Sequence, residues 1–136
     1  MRAYFGRRYL LSASHRLHAQ ALTAAQNRAA YGKCNNAHGH GHNYIVEVLV
    51  GGEVSADTGM VVDLVALDDS IRRNILDRFD HANLNLDPIF QNRVPTTENL
   101  CRVIVDLLRA DLPGGQLDYV RVEETENNFF ECSARG

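Results

Sequence analysis

The sequence predicts an α+β fold in the order β-β-α-α-β-β, with a four-stranded antiparallel sheet and two helices on one face. Three observations carry this. Apolar and polar residues alternate with period two near both ends of the chain, and two amphipathic stretches with helical spacing lie between them. The length of 136 residues suits one core, so positions 1–136 are expected to form a single domain.

The first strand is expected over 3–13, with Phe5, Tyr9 and Leu11 on one parity and Arg8 and Ser12 on the other. His15 falls just beyond it. A long connection follows, with an alanine-rich short helix over 23–31 closed by Gly32. Insertions of this length between strands usually serve function. The second strand is expected over 40–50, with Tyr44, Val46 and Val48 facing one way and Gly51-Gly52 ending it.

Asp63 suits the N-cap of a helix carrying Leu64, Leu67, Ile71, Ile75 and Phe79 on one stripe and stopping near Asp80. A second helix over 97–111 places Leu100, Val103, Ile104, Leu107 and Leu108 at helical spacing, and Pro113-Gly114-Gly115 should terminate it. Strands over 117–126 and 129–133, joined by a turn at Asn127-Asn128, complete a hairpin. One sheet face and the strand edges are left without cover, which a homo-oligomer would provide.

Composition narrows the function classes. Apolar residues are 45% and charged residues 23%, and no uninterrupted apolar run has the length of a membrane span. No signal-peptide core precedes the first strand, so a cytoplasmic protein without a membrane partner is expected. Cys34, Cys101 and Cys132 are an odd set without framework spacing, so free thiols are expected. A net charge of -3 disfavours nucleic acid as a partner. Thirteen of the fourteen basic residues are arginine, which leaves a small anionic ligand open.

The densest chemical signal is the 34–44 run, Cys-Asn-Asn-Ala-His-Gly-His-Gly-His-Asn-Tyr. In a strand His40 and His42 project to the same face, and His15 at a neighbouring strand end can supply a third imidazole. Three neutral histidines leave a zinc ion its double charge and an open position, the pattern of a catalytic site. The bland alternative is a histidine-rich loop without metal. His38 and His40 have the same spacing, but His40 and His42 lead directly into the apolar strand and sit on firmer backbone.

Cys34 suits a base if a nearby cation lowers its thiol pKa, and otherwise a small buried hydrophobe, the reading preferred for Cys101 and Cys132. Asp80-His81 suits a proton relay, or merely a histidine favoured by a helix C-terminus. Glu124 shares parity with Val120 and Val122, so its carboxylate points to the apolar face and needs a partner, such as the paired donors of a pterin. Alternatively it lies past the buried part of the strand or pairs with an arginine.

These residues resemble the 6-pyruvoyl-tetrahydropterin synthases and their relatives, the 6-carboxy-tetrahydropterin synthases. The resemblance runs through Ser12 to Leu17, Cys34 to Tyr44, Thr58 to Asp63, Asp80 to Leu84, Thr96 to Asn99 and Glu124 to Asn128, in the family's order. It implies a tunnelling fold in which the subunits of a homo-oligomer, a hexamer, close their sheets into a barrel with active sites between chains. It further implies zinc (Zn2+) at His15, His40 and His42, proton abstraction by Cys34, a relay at Asp80 and His81, a pterin anchor at Glu124, and pterin contacts from Thr96, Thr97 and Glu98.

The implied reaction converts 7,8-dihydroneopterin triphosphate to 6-pyruvoyl-tetrahydropterin with release of triphosphate, on the route to tetrahydrobiopterin. Five residues separate Cys34 from His40, as in the pyruvoyl type; the three between Cys34 and His38 would fit the carboxy type. The carboxy product, with acetaldehyde, belongs to the deazapurine and queuosine route. A pterin- or metal-binding module without turnover is the remaining alternative. Arg16, Arg28 and Lys33 are candidates for the triphosphate by sequence proximity alone.

Overall fold

Alternation at the start of the chain becomes β1 (Arg2–His15), paired antiparallel with β2 (His40–Glu53) from Arg2 opposite Glu53 to His15 opposite His40. The computed structural model describes residues 1–112 and 116–135. Both strands run past their expected ends: His15 closes β1 from within, and Gly51 and Gly52 lie inside β2. The glycine at 51 has a local cause. A Cβ there would stand 2.8 Å from the Arg2 guanidinium and 2.9 Å from the Tyr4 ring, so side chains of β1 lie across bare backbone.

Between these strands α1 (Ala24–Tyr31) starts at a capping box, where Thr23 accepts from the Gln26 N–H and Gln26 accepts from the Thr23 N–H. Gly32, at φ 56°, ends it and a 3-10 turn, Gly32–Asn35, follows. Asp63 caps α2 (Leu64–Ile71) by accepting from the Ala66 N–H. The helix then widens into a π turn, Arg72–Leu76, before α3 (Asp77–Phe79).

Residue spacing explains that turn. Leu67, Ile71, Ile75 and Phe79 are all fully buried, yet steps of four residues drift by about 40° each in a regular helix, or about 120° in total. A π turn absorbs one extra residue, which cuts the drift to about 20° at 100° per residue. The widened turn keeps the stripe on the sheet.

After α3 the chain makes a two-residue strand, β3 (Ala82–Asn83), parallel to β1 with Ala82 opposite Ala13. The sheet is therefore five-stranded and mixed, in the order β3-β1-β2-β4-β5, where four antiparallel strands were expected. Two 3-10 turns lead to α4 (Thr97–Asp111), whose N-cap Thr96 accepts from the Asn99 N–H. β4 (Leu117–Thr125) and β5 (Asn128–Ser133) form the final hairpin, its turn at Glu126-Asn127, one residue earlier than expected. The stop signal at Pro113-Gly114-Gly115 lies outside the described residues.

Leu11, Tyr44, Val46, Val48, Val120 and Val122 on one sheet face pack with the buried stripes of α2 to α4 in one core. The opposite face exposes Tyr4, Leu10 and Phe129. Arg8 pairs with Glu47 there, and the Arg121 guanidinium lies 3.6 Å from the centre of the Phe129 ring. Cys101 is buried, Cys132 packs half-buried against the core, and all three cysteines are free. Among the described residues no helix is long and apolar enough to cross a membrane.

Candidate active site

Strand geometry brings His15, His40 and His42 together at the end of the helix-covered face. His15 sits opposite His40, and Ala13 opposite His42, so all three imidazoles leave on the core side. One ring nitrogen from each lies within 4.8 Å of the others. The Nε2 atoms of His15 and His40 are 3.0 Å apart.

Surrounding groups prepare these rings for a cation. His15 Nδ1–H donates to the Pro95 carbonyl at 2.8 Å, which turns its Nε2 lone pair toward the other two rings. Burial lowers the pKa of His15 and of His42, so both favour the neutral, ligating form. His42 Nε2 is buried without a hydrogen-bond partner, a cost that a bound cation removes. The three residues thus fit a divalent metal held by neutral imidazoles. His38 stays exposed on the preceding turn, outside this group.

Glu124 occupies the same face. The β4–β5 register slips by one between Glu123 and Thr125, making Glu124 the extra residue of a bulge, a device that re-aims a side chain. Its carboxylate accepts from the Thr97 hydroxyl and, at 3.2 Å, from the Asn128 amide. Burial pushes its pKa up, but those hydrogen bonds and the nearby His42 and His15 outweigh burial and hold it below the usual carboxylate value. An ionised acceptor therefore faces the imidazoles.

Tyr44 forms the floor between them. Its hydroxyl oxygen is 3.4 Å from His15 Nδ1. Burial raises its pKa most, with Glu124 adding to the rise, Thr97 opposing it and the Cys34 thiol adding a further increment, which places Cys34 within electrostatic reach. Cys34 is half-buried, and its carbonyl accepts from the Leu17 N–H at 2.8 Å, tying its turn to the residues after His15.

Asp80 and His81 stand beside β1, where His81 lines a cavity of about 340 Å³ together with Ser12, Ser14 and His42. The Asp80 carboxylate accepts from the Ser12 N–H at 2.9 Å, and the His81 N–H donates to the Ser12 carbonyl. His81 has φ 60°, a conformation uncommon outside glycine but more accessible to histidine. Its ring is 3.1 Å from Asp80 and 82% exposed, aimed out of the chain. The Ser12 N–H, chief among several donors, lowers the Asp80 pKa. Of the α4 start, Thr97 joins the site, Thr96 caps the helix and Glu98 is exposed on the first turn.

A sequence model of the family 6-pyruvoyl tetrahydropterin synthase matches residues 5–135. The chain belongs to that family. The 6-pyruvoyl tetrahydrobiopterin synthase of Homo sapiens is 46% identical over 128 residues, covering 93% of this chain and 88% of its own length. The solved structure of Caenorhabditis elegans 6-pyruvoyl tetrahydropterin synthase superposes with a TM-score of 0.94 at 38% identity, covering 98% of this chain and 96% of that one. Dihydroneopterin monophosphate aldolase of Pyrococcus furiosus is 39% identical over 91 residues, 67% of this chain and 73% of its own length. The tunnelling fold of the pterin synthases is thus the fold of this chain.

Sequence reasoning missed several residues of this candidate site. Tyr44 shares strand parity with His40 and His42, a signal that was legible but assigned to the core. Pro95 and Asn128 join through loop contacts that have no periodicity to reveal them. Gly39, at φ 72°, turns the chain into His40, and a Cβ there would meet the His15 carbonyl at 3.0 Å. Gly39→Ala is expected to cost about 1–2 kcal/mol, measured by urea unfolding of the metal-free chain, and to weaken metal uptake in the same preparation.

Proposed function

We propose that this chain is a cytoplasmic, zinc-dependent lyase that converts 7,8-dihydroneopterin triphosphate to 6-pyruvoyl-tetrahydropterin with release of triphosphate, acting as a homo-oligomer, a hexamer. The observation that supports it best is the facing of two unlike groups on one sheet surface: three convergent imidazoles with an unpartnered nitrogen, and an ionised carboxylate opposite. A neutral heterocycle with paired N–H donors and an oxygenated side chain matches both ends.

When bound by His15, His40 and His42, zinc supplies Lewis-acid stabilisation of charge on substrate oxygen. The chain does the rest. Glu124 accepts the pterin amino and ring N–H groups, with Thr97 and Asn128 fixing its orientation. Tyr44 and the packed face behind it exclude water and keep the site's dielectric low. Cys34 takes a proton from a side-chain carbon, and Asp80 and His81, aimed outward, serve the corresponding site of a neighbouring copy.

Incubating zinc-loaded protein with 7,8-dihydroneopterin triphosphate and identifying the products by mass spectrometry tests the reaction. A pterin keeping its three-carbon side chain is expected; a carboxylated pterin with acetaldehyde would overturn the assignment in favour of the carboxy synthase reaction. Glu124→Gln is expected to weaken pterin binding by about tenfold or more, the scale of a lost charge-assisted hydrogen bond. It should raise KM more than it lowers kcat. Unchanged affinity in calorimetry would make Glu124 a structural carboxylate.

A further inference from the structure

Pro95, whose carbonyl takes the His15 proton, also lines a cavity of about 540 Å³ where residues 16–21 meet residues 85–95. Its volume is in the range of small-molecule sites. Arg16, Arg93 and His18 line it together with the amides of Asn85 and Gln91, and no aspartate or glutamate does. The wall is rich in hydrogen-bond donors and carries uncompensated positive charge.

Most arginines of this chain are already engaged. Arg7, Arg8, Arg72, Arg73, Arg78, Arg121 and Arg135 each pair with a carboxylate. Arg16 and Arg93 have no carboxylate partner among the described residues. Arg16 gives its Nε–H to the Asn35 carbonyl at 3.2 Å, which leaves both terminal amino groups for a ligand. Its backbone is fixed as well: the Arg16 N–H donates to Asn85 at 2.6 Å, and Asn85 donates back to the Arg16 carbonyl at 2.9 Å.

These contacts also join the cavity to the site. Asn35 follows Cys34, Arg16 follows His15, and Pro95 backs the His15 ring. A chain of net charge -3 repels a polyanion, so a polyphosphate needs local unpaired cations to hold it. Guanidinium forks match phosphate oxygens in geometry.

We infer that this cavity is the polyphosphate subsite of the enzyme, with Arg16 and Arg93 binding the triphosphate of the pterin substrate. It rests on the reaction proposed above. Of the three cations that sequence proximity offered, Arg16 lines the cavity, whereas Arg28 and Lys33 do not. Arg93, distant in sequence, is added.

Titration calorimetry of the chain with inorganic triphosphate, after chelation has removed any cation at the histidines, tests the subsite directly. Arg16→Gln and Arg93→Gln should each weaken binding by about tenfold or more. Arg102→Gln, on the exposed side of α4, should change nothing. Arg93 lies on an exposed loop, so its variant stays informative even if Arg16→Gln perturbs the Asn35 turn. With 7,8-dihydroneopterin triphosphate, Arg93→Gln should raise KM and leave kcat near its original value, the signature of uniform binding.

Equal affinities in all variants, or equal losses that include Arg102→Gln, would overturn the subsite. Arginine-dependent triphosphate binding without turnover of 7,8-dihydroneopterin triphosphate would sink the proposed reaction and leave the anion site standing. Turnover indifferent to Arg16 and Arg93 would do the reverse.

Discussion

Replacing any one of His15, His40 and His42 by alanine is expected to strip the chain of metal and abolish turnover, whereas His38→Ala keeps both. Loss of an outer partner of a metal ligand already costs about 10–100-fold in affinity, and loss of a ligand itself should exceed that. Metal content after dialysis, measured by mass spectrometry, separates the cases. His15 is almost fully buried, and its removal also leaves the Pro95 carbonyl without its donor, so urea unfolding should accompany that variant. Metal lost from His38→Ala but kept by His42→Ala would mean that the pair is His38 and His40.

The core and the histidine cluster were legible because both follow from strand parity. His40, His42, Tyr44, Val46 and Val48 share one alternation, and Glu124 shares that of Val120 and Val122. Features made by contacts between distant loops were not. β3 has only Ala82 and Asn83, too few residues for any period, and exists because Asp80 and His81 fasten the chain to Ser12. Gly51-Gly52 reads as a stop locally, but the Arg2 and Tyr4 side chains lying across it make it strand interior. Arg93 shows no link to Arg16 in the sequence until folding sets both in the wall of one cavity.

Mixing Cys34→Ala and His81→Ala chains is expected to restore part of the activity that each variant lacks alone. Within one chain Asp80 and His81 are fastened to Ser12 of β1 just before β3, with the imidazole exposed, while Cys34 stands within electrostatic reach of Tyr44. The shared-site proposal draws the proton transfers from two copies. Subunit exchange creates interfaces where an intact Cys34 meets an intact His81, and in a random mixture a fraction of sites recovers. Native mass spectrometry should confirm the mixed oligomers before activity is read. Mixed oligomers that stay inactive would place the relay within its own chain and refute the shared site.

The widened turn at Arg72–Leu76 also says where this chain tolerates changes of length. Deleting one residue there would restore regular winding and leave the later side chains of the helix close to their present directions, because eleven regular steps give the same drift of about 20°. Phe79 would stay on the sheet and Asp80 would keep the Ser12 amide it now grips, whereas one more residue inserted there would turn both by about 100°. The widened turn thus absorbs the surplus residue and keeps core and relay in phase. Insertions should be purged between Leu64 and Phe79 and single deletions tolerated at Arg72–Leu76, while both should accumulate in the exposed stretch 55–59, where no downstream angle depends on the count.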